Sequence, residues 1–572
     1  MAKPHAVIVP HPAQGHMNPM LKLAKLLYLK GFYITFVNSE YNHNRLLRAR
    51  GPSALDGLPG FKFAAVAEGL PAEVDGVETN VQEPYIHCDA LLRETPLPFF
   101  KDFIDDLRSS TEVPPISCFV CDGNMTFPLK VAREIGVPCA LFWTPSACGV
   151  LGYAYYRKLI ERGLVPLKDE SCLTNGYLNT VVDIPSMEGI RLWDLPHFVR
   201  TTDTEHIMFK FLMTEVEKAY NCSAIILNTI EELEHGVLDT LRTMFPPIYA
   251  IGPLNLVEKE QIPESSVLNS IGLNLWKEDL DCLAWLDKKE HNSVIYVNFG
   301  SVVRMSSREL VEFGWGLANS KQNFLWAIRP GLLGGESAVF PPEFEVEIKE
   351  RGLLVGWTPQ EKILRHPSVG GYLTHCGWNS VLESIVEGVP MICWPAWAEQ
   401  YTNCWFLCKH WGLGMEITNV EKEEVERLVR ELMVGENGKK IKAKAIEWKK
   451  IVEDAVTAPA GSSCVNFDNL INEQLGFRHE QITITAVKLR MLADDPTATK
   501  SWPSSIFKND SNNSGLSSSS RNAQGGMGFG NFQSKKANVR LKYLYLADKV
   551  DIEDLTAEQR YLYASNEQFF KT

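Results

Sequence analysis

The chain predicts an α/β protein whose two similar halves face one cleft, and three observations carry that prediction. Short apolar segments alternate with helical periodicity twice over, once from residue 5 and again from residue 293. Between the two series, from residue 252 to about 287, the pattern loosens into Pro, Glu and Ser, as an interdomain linker does. The length of 572 residues exceeds what a single core organises, so at least two domains are required.

The first series begins with a buried strand over residues 5–9, a loop reading PHPAQGHMNP, and a helix in which Met20, Leu23 and Leu27 share one face. A second strand is predicted over residues 32–37. Strand, helix and strand at this length form a right-handed unit in a parallel sheet. Further strands follow at 116–121, ending on Asp122, and at 139–142, ending on Trp143 and Thr144. Residues 150–245 read as mostly helical. After the linker, which carries a helix around 282–286, strands are predicted at 293–299, 323–328, 352–355, 371–374, 389–394 and 413–417. Ser306 to Glu309 reads as a capping box opening a helix. Two charged helices over 422–456 and an apolar one over 464–475 close the ordered part. Beyond Gly476 the composition turns to Ser, Asn and Gly, which predicts disorder through most of 477–572, with one more capping box at Thr556 to Gln559.

A formal net charge of −13 excludes a nucleic-acid binder that works through the phosphate backbone. Residues 6–9 are far too short for a signal-peptide core or a membrane span, so a cytoplasmic protein is expected. Thirteen cysteines, odd in number and without paired spacing, read as free thiols in a reducing compartment.

Chemistry concentrates in residues 357–400, WTPQEKILRHPSVGGYLTHCGWNSVLESIVEGVPMICWPAWAEQ. A strand ending at Thr374 turns through His375, Cys376 and Gly377 into a helix starting near Trp378. That turn presents unpaired N–H groups and the positive end of a helix dipole, which is an anion site suited to phosphates. His375, Asn379 and Ser380 add side-chain donors. Glu383 could accept both hydroxyls of a ribose, or it could simply close a capping box with Ser380. Trp357 offers a flat face for a base, although a lone Trp is more often core. His375 with Cys376 makes a poor metal pair, because no second pair stands at ligand spacing. In the first half, His16 near a helix start suits a general base, with His11 as its rival and a backbone-satisfied turn histidine as the plain alternative. Asp122 could orient His16 or cap the helix that follows it.

The stretch 357–400 resembles the signature box of the plant secondary-product UDP-glycosyltransferases, family 1 glycosyltransferases, in its first Trp, the Gln at its fourth position, HCGWNS, Glu383, Gly-Val-Pro and the closing acidic residue with Gln. The resemblance runs from about residue 5 to 475, with subfamily-85 character in TPSACG, GLVPLKDES and ILNTIEELEH. It implies a GT-B fold of two Rossmann-like domains, with an acceptor domain over 1–251, a linker over 252–287, a UDP-sugar domain over 288–455, and a helix over 456–476 packing back on the first domain. It implies Trp357 stacked on uracil, Gln360 meeting the base through its backbone, Glu383 on the ribose, and Ser301, His375, Asn379 and Ser380 on the diphosphate. Trp378, Glu399 and Gln400 match the sugar positions, with Trp143 and Thr144 facing the sugar from the other domain. It also decides for His16 and Asp122 as the catalytic pair. A closing Gln goes with glucose, so the implied co-substrate is UDP-glucose, with no metal and no resident cofactor, and the acceptor is a small hydrophobic aglycone. A monomer is expected.

Two features depart from the family. Residues 181–190 lack an aromatic expected before Ile184-Pro185, and residues 477–572 have no counterpart, as a read-through, mis-spliced or fused tail would not. Rival readings are a UDP-sugar-binding protein without transfer activity and a nicotinamide-dependent oxidoreductase. The second would need Gly-x-Gly-x-x-Gly after the first strand, where PHPAQGH stands instead. Truncation after Gly476 is expected to leave turnover intact; its loss in a still-folded protein would show that the tail takes part.

Overall fold

Strands that are apolar along their whole length can be buried only when helices cover both faces of a parallel sheet. The computed structural model, which describes residues 3–69, 83–333, 340–457 and 459–476, has two such sheets. The first contains β1 (His5–Val9), β2 (Tyr33–Ser39), β3 (Phe61–Val66), β4 (Ile116–Asp122), β5 (Cys139–Trp143), β6 (Ala224–Leu227) and β7 (Ile248–Ala250). Their order is β3-β2-β1-β4-β5-β6-β7, and every pairing is parallel. The second contains β8 (Val294–Asn298), β9 (Asn323–Ala327), β10 (Gly352–Val355), β11 (Val369–Thr374), β12 (Met391–Cys393) and β13 (Gly414–Glu416). Its order is β10-β9-β8-β11-β12-β13, again parallel throughout.

Strand order reverses once in each sheet, between β1 and β4 and between β8 and β11. Connections leave in opposite directions at such a switch point, and a crevice opens beyond the carboxyl ends of the two strands. His16 follows β1 and Asp122 ends β4, while Ser301 follows β8 and His375 follows β11. The sheet topology alone therefore brings together residues that are distant in sequence.

The sequence-predicted strands are present to within about two residues, and the capping box at Ser306 and Glu309 forms. Three further strands lie where none was expected. β3 is an edge strand with half-exposed positions, and β6 and β7 are short apolar runs in or beside the region read as helical. The expected linker is partly structure of the first domain. Its helix Leu254–Gln261 packs on the helix Gln14–Leu29, where Glu258 takes ion pairs from Lys22 (2.7 Å) and Lys25 (2.8 Å). Lys22 also reaches Glu361 of the second domain at 3.0 Å. Further along, Leu275 N–H donates to Gln14 Oε1 at 2.9 Å and Asp279 N–H to the Trp357 carbonyl at 2.7 Å. The helix Ser462–Gln474 returns to the first sheet, with Asn466 Nδ2 on the Ala250 carbonyl (2.9 Å) and the Tyr249 hydroxyl on Glu473 (2.8 Å).

Residues 181–190, which lack the expected aromatic, are packed by Ile184, Met187 and Ile190, all buried. The thirteen cysteines are free thiols. No helix among the described residues is long and apolar enough to cross a membrane. Residues 477–572, with the predicted disorder and the capping box at Thr556, lie outside the described residues.

The second core interleaves Ile295, Val297, Leu373 and Ile392 of the sheet with Leu310, Phe313, Leu317, Val425 and Leu428 of the helices. Leu373, wholly buried in the central strand β11 that delivers His375, has no room to be replaced by solvent. Leu373→Ala is expected to lower unfolding free energy by about 2–5 kcal/mol, read as a drop in denaturation midpoint.

Candidate active site

A cleft of about 830 Å³ lies between the two sets of strand ends. On the first-domain wall, the loop after β1 leads into the helix Gln14–Leu29, and His16 sits in its first turn. The His16 Nδ1 lies 2.8 Å from Asp122 Oδ2 and 2.8 Å from Thr144 Oγ1. The Asp122 carboxylate can only accept, which assigns the proton to Nδ1 and leaves the Nε2 lone pair as the basic site. Burial lowers the pKa of His16, but the charge and hydrogen bond of Asp122, with Glu399 further off, outweigh it and the net shift is upward. Asp122 is itself 1% exposed, and its second oxygen accepts from the Asn124 N–H at 2.9 Å. It therefore caps a turn as well as orienting the histidine. It caps no helix, since the next one begins at Pro128.

His11 has its ring edge-to-face with His16, centroids 4.9 Å apart. Burial, His16 and His87 push its pKa well down, and its Nδ1 has no hydrogen-bond partner among the described residues. It lacks the carboxylate that makes His16 the stronger base.

One first-domain expectation needs correction. Trp143 does not face the cleft: it is 1% exposed, and its ring lies under Gly123, where a Cβ would stand 2.4 Å from it. As the last residue of β5 it alternates to the face opposite its neighbour and goes into the core. Thr144 does line the cleft, but its hydroxyl is directed at His16 Nδ1, so in this arrangement it shares in orienting the base.

On the second-domain wall, the helix Trp378–Glu387 starts from Gly377 with no side-chain cap, so its N–H groups remain available to an anion. The alternative of a capping box formed by Ser380 and Glu383 is excluded, because Gly377 is the N-cap and Ser380 lies inside the helix; both side chains instead accept from Gln360 Nε2, at 2.9 and 2.7 Å. Gln360 Oε1 in turn accepts from Asn298 Nδ2 (2.7 Å) and from the hydroxyls of Tyr372 (2.9 Å) and Tyr296 (3.2 Å). Gln360 was expected to meet a base through its backbone, yet its N–H is given to the Thr358 carbonyl at 2.9 Å, and its visible role is to hold Glu383 by its side chain. Burial and Glu361 raise the Glu383 pKa to about 8, against the pull of Gln360 and Lys22. Trp357 lines the cleft and carries Trp276 of the linker against it, ring centroids 4.7 Å apart.

His375 is buried, and its pKa is lowered to about 4 by burial and by Arg329, so it meets an anion as a neutral donor. Gly300 is required beside it, since a Cβ there would lie 2.4 Å from His375 Nε2. Ser301 follows at the cleft surface. Asn379 Nδ2 donates to the Gly15 carbonyl (2.7 Å), and Trp378 Nε1 to the Asn228 carbonyl (2.8 Å), so both side chains tie the domains together. At the far end, Gln400 Oε1 accepts from the N–H groups of Ala396 (3.1 Å) and Trp397 (2.9 Å), and Glu399 accepts from the Tyr153 hydroxyl at 2.8 Å.

Four residues of this site were not found from the sequence. Arg329, 5% exposed just beyond β9, stays charged although burial and Arg304 lower its pKa to about 10, and it holds the Gly300 carbonyl at 2.8 Å. Its place at a strand end was the available signal. Asn298, the last residue of β8, carries the same signal, while Tyr153 and Trp276 carry none. The thiols of Cys376, Cys393 and Cys404 also lie within 4.8 Å of one another, delivered by three separate elements. Sequence spacing could not foresee that grouping. Burial pushes the Cys376 thiol well up, which makes it a neutral core group.

Switch-point clefts opposed across two parallel sheets, with an anion-binding helix start on one wall and a carboxylate-oriented histidine on the other, define a GT-B glycosyltransferase. Residues 271–461 match the family model "UDP-glucoronosyl and UDP-glucosyl transferase". The chain is 55% identical over 473 residues to the 7-deoxyloganetin glucosyltransferase of Catharanthus roseus, covering 82% of this chain and 96% of that one. It is 53% identical to the (R)-mandelonitrile beta-glucosyltransferase of Prunus dulcis, covering 83% and 97%. Among solved structures, Medicago truncatula UGT71G1 complexed with UDP-glucose superposes with a TM-score of 0.67 at 28% identity, covering 83% of this chain and 99% of that one. Phytolacca americana UGT2 complexed with UDP-2fluoro-glucose and pterostilbene gives 0.66 at 29%, covering 82% and 99%. The chain belongs to the UDP-glycosyltransferase family.

Asp122→Asn removes the charge that raises the His16 pKa and leaves burial to lower it. Turnover is expected to fall by roughly 10²–10⁴-fold, and the acid limb of the rate profile to move to lower pH, measured as kcat/KM across pH 5–9.

Proposed function

We propose that the chain transfers glucose from UDP-glucose to a hydroxyl of a small hydrophobic plant metabolite, a terpenoid or iridoid alcohol, a cyanohydrin or a phenol, giving a β-O-glucoside. The observation that carries this reading is the pinning of His16 Nδ1 to Asp122 at the mouth of a helix-start anion site. Relatives named for glucosylating 7-deoxyloganetin and mandelonitrile support the acceptor class.

In this reaction His16 Nε2 takes the proton of the acceptor hydroxyl as its oxygen attacks C1 of the α-linked sugar from the face opposite UDP. The C1–O bond to UDP breaks, and configuration inverts. The imidazolium formed is stabilised by Asp122. The leaving diphosphate gathers charge against the N–H groups at Trp378, Asn379 and Ser380, the neutral His375 and the fixed positive charge of Arg329. Trp357 stacks on the uracil and Glu383 takes the ribose hydroxyls. Ser301 adds a diphosphate donor, and Glu399 and Gln400 hold the sugar. The chain's own dipoles supply the electrostatics, and we propose that neither a metal nor a resident cofactor takes part. A cytoplasmic monomer is the proposed working form.

The test is incubation with UDP-glucose and a panel of iridoid, cyanohydrin and phenolic alcohols, with mass-spectrometric detection of glucosides. Product is expected from the wild type, and His16→Ala should abolish it while UDP still binds. UDP-glucose binding with no product from any acceptor would favour a sugar-nucleotide-binding protein without transfer activity.

A further inference from the structure

The residues assigned to the sugar stand on a short turn that its own domain holds only in part, through Gln400 Oε1 on the N–H groups of Ala396 and Trp397. Ala398 is a non-glycine residue with φ +53°, in the left-handed region that costs an alanine of order 1 kcal/mol. It directly precedes Glu399, and Gln400 begins the helix Gln400–Lys409. Something must hold Ala398 there, and the structure provides it from the other domain. The N–H of Ala398 donates to His197 Nδ1 at 2.7 Å, and the N–H of His197 donates back to the Ala398 carbonyl at 3.1 Å. Both polar groups of Ala398 are thus satisfied by a single first-domain residue.

The His197 ring is built for that task. It lies against Phe198, Trp397 and Tyr401, with centroids 4.3, 5.0 and 6.1 Å away. Burial, Arg200 and His206 keep it neutral, so Nδ1 remains an acceptor at any working pH. Arg200 is itself fixed over the rings of Trp193 and Tyr401, 4.0 and 3.9 Å from their centroids. A second first-domain contact completes the hold. The Tyr153 hydroxyl donates to Glu399 Oε2 at 2.8 Å, and Gly149 lets the Glu399 side chain pass, since a Cβ there would stand 2.7 Å from its Cγ.

We propose that His197, assisted by Tyr153, is a positioning residue for the donor sugar. Its paired hydrogen bonds to Ala398 fix the turn that aims Glu399 and Gln400, so the sugar end of the donor site in one domain is set by side chains of the other. The uracil, ribose and diphosphate positions lie elsewhere on the second domain and do not depend on it. The inference rests on the reading of Glu399 and Gln400 as sugar-binding residues given above.

The experiment compares affinities for UDP and for UDP-glucose by titration calorimetry in the full chain, because their ratio isolates what the glucosyl group contributes. His197→Ala is expected to weaken UDP-glucose on the order of ten-fold while leaving UDP unchanged, and to reduce the preference for UDP-glucose over UDP-galactose. In His197→Asn the side-chain oxygen can replace Nδ1 as acceptor, and most of the loss should be restored. Tyr153→Phe removes a single oxygen from a packed ring and should give the same selective loss, which keeps the test open if His197→Ala does not fold. Equal weakening of UDP and UDP-glucose, or no change in either, overturns the proposal. A wild-type protein that binds UDP-glucose no differently from UDP sinks the sugar assignment itself, a distinct outcome.

Discussion

Asn379 stands at the start of the helix that follows β11, and Gly15 at the start of the helix that follows β1, so the 2.7 Å hydrogen bond between them joins the switch points of the two sheets. Two helix amino ends, each carrying partial positive charge, are thereby aimed into one cleft. An arrangement of that kind disfavours added positive charge and welcomes an anion. It also makes the histidine at the first helix start hard to protonate, which burial reinforces. Asp122 answers both effects, and for that reason the His16–Asp122 contact is a requirement of the fold's electrostatics as much as of its chemistry.

The titratable groups of the cleft have been driven apart by their surroundings. His375 is kept neutral, with its pKa near 4, where a charged ring would hold the leaving group too tightly to release it. Glu383 is lifted to about 8 by burial and a neighbouring carboxylate, while His16 is raised by Asp122 against its burial. Separation of this kind divides the work between a base, a neutral donor and a hydroxyl acceptor, with the buried charge of Arg329 behind the anion site.

Much of this was legible in the sequence because it is local. The strand and helix around His375 follow from six residues of strand and one turn, while Asp122 ends a strand that apolar patterning marks and His16 opens the helix after another. What was not legible depends on tertiary placement. Trp143 and Thr144 are adjacent in the chain, yet the two-residue alternation of a strand sends one into the core and the other to the base. Gln360 matches a motif position, but the side-chain network through Tyr296, Tyr372 and Asn298 that holds Glu383 draws on two neighbouring strands, β8 and β11. β3 escaped notice because its pattern is that of a half-exposed edge, and β6 and β7 because three or four apolar residues cannot be told from helix by periodicity. His197 has no signature at all; it matters only because a left-handed alanine two hundred residues away needs its partner.

Gln14 has a consequence for how this architecture can be recombined. Its side chain accepts from the Leu275 N–H and donates to the Leu273 carbonyl, while Trp276, the next residue of the same connection, lies against Trp357. The segment between the domains is therefore cut to fit both of them. A chimera that takes its acceptor half from one relative and its donor half from another inherits a connection matched to only one parent. Its crossover is best placed within the second domain, beyond Trp357, so that Gln14, the connecting strap and the indole it rests on travel as one block.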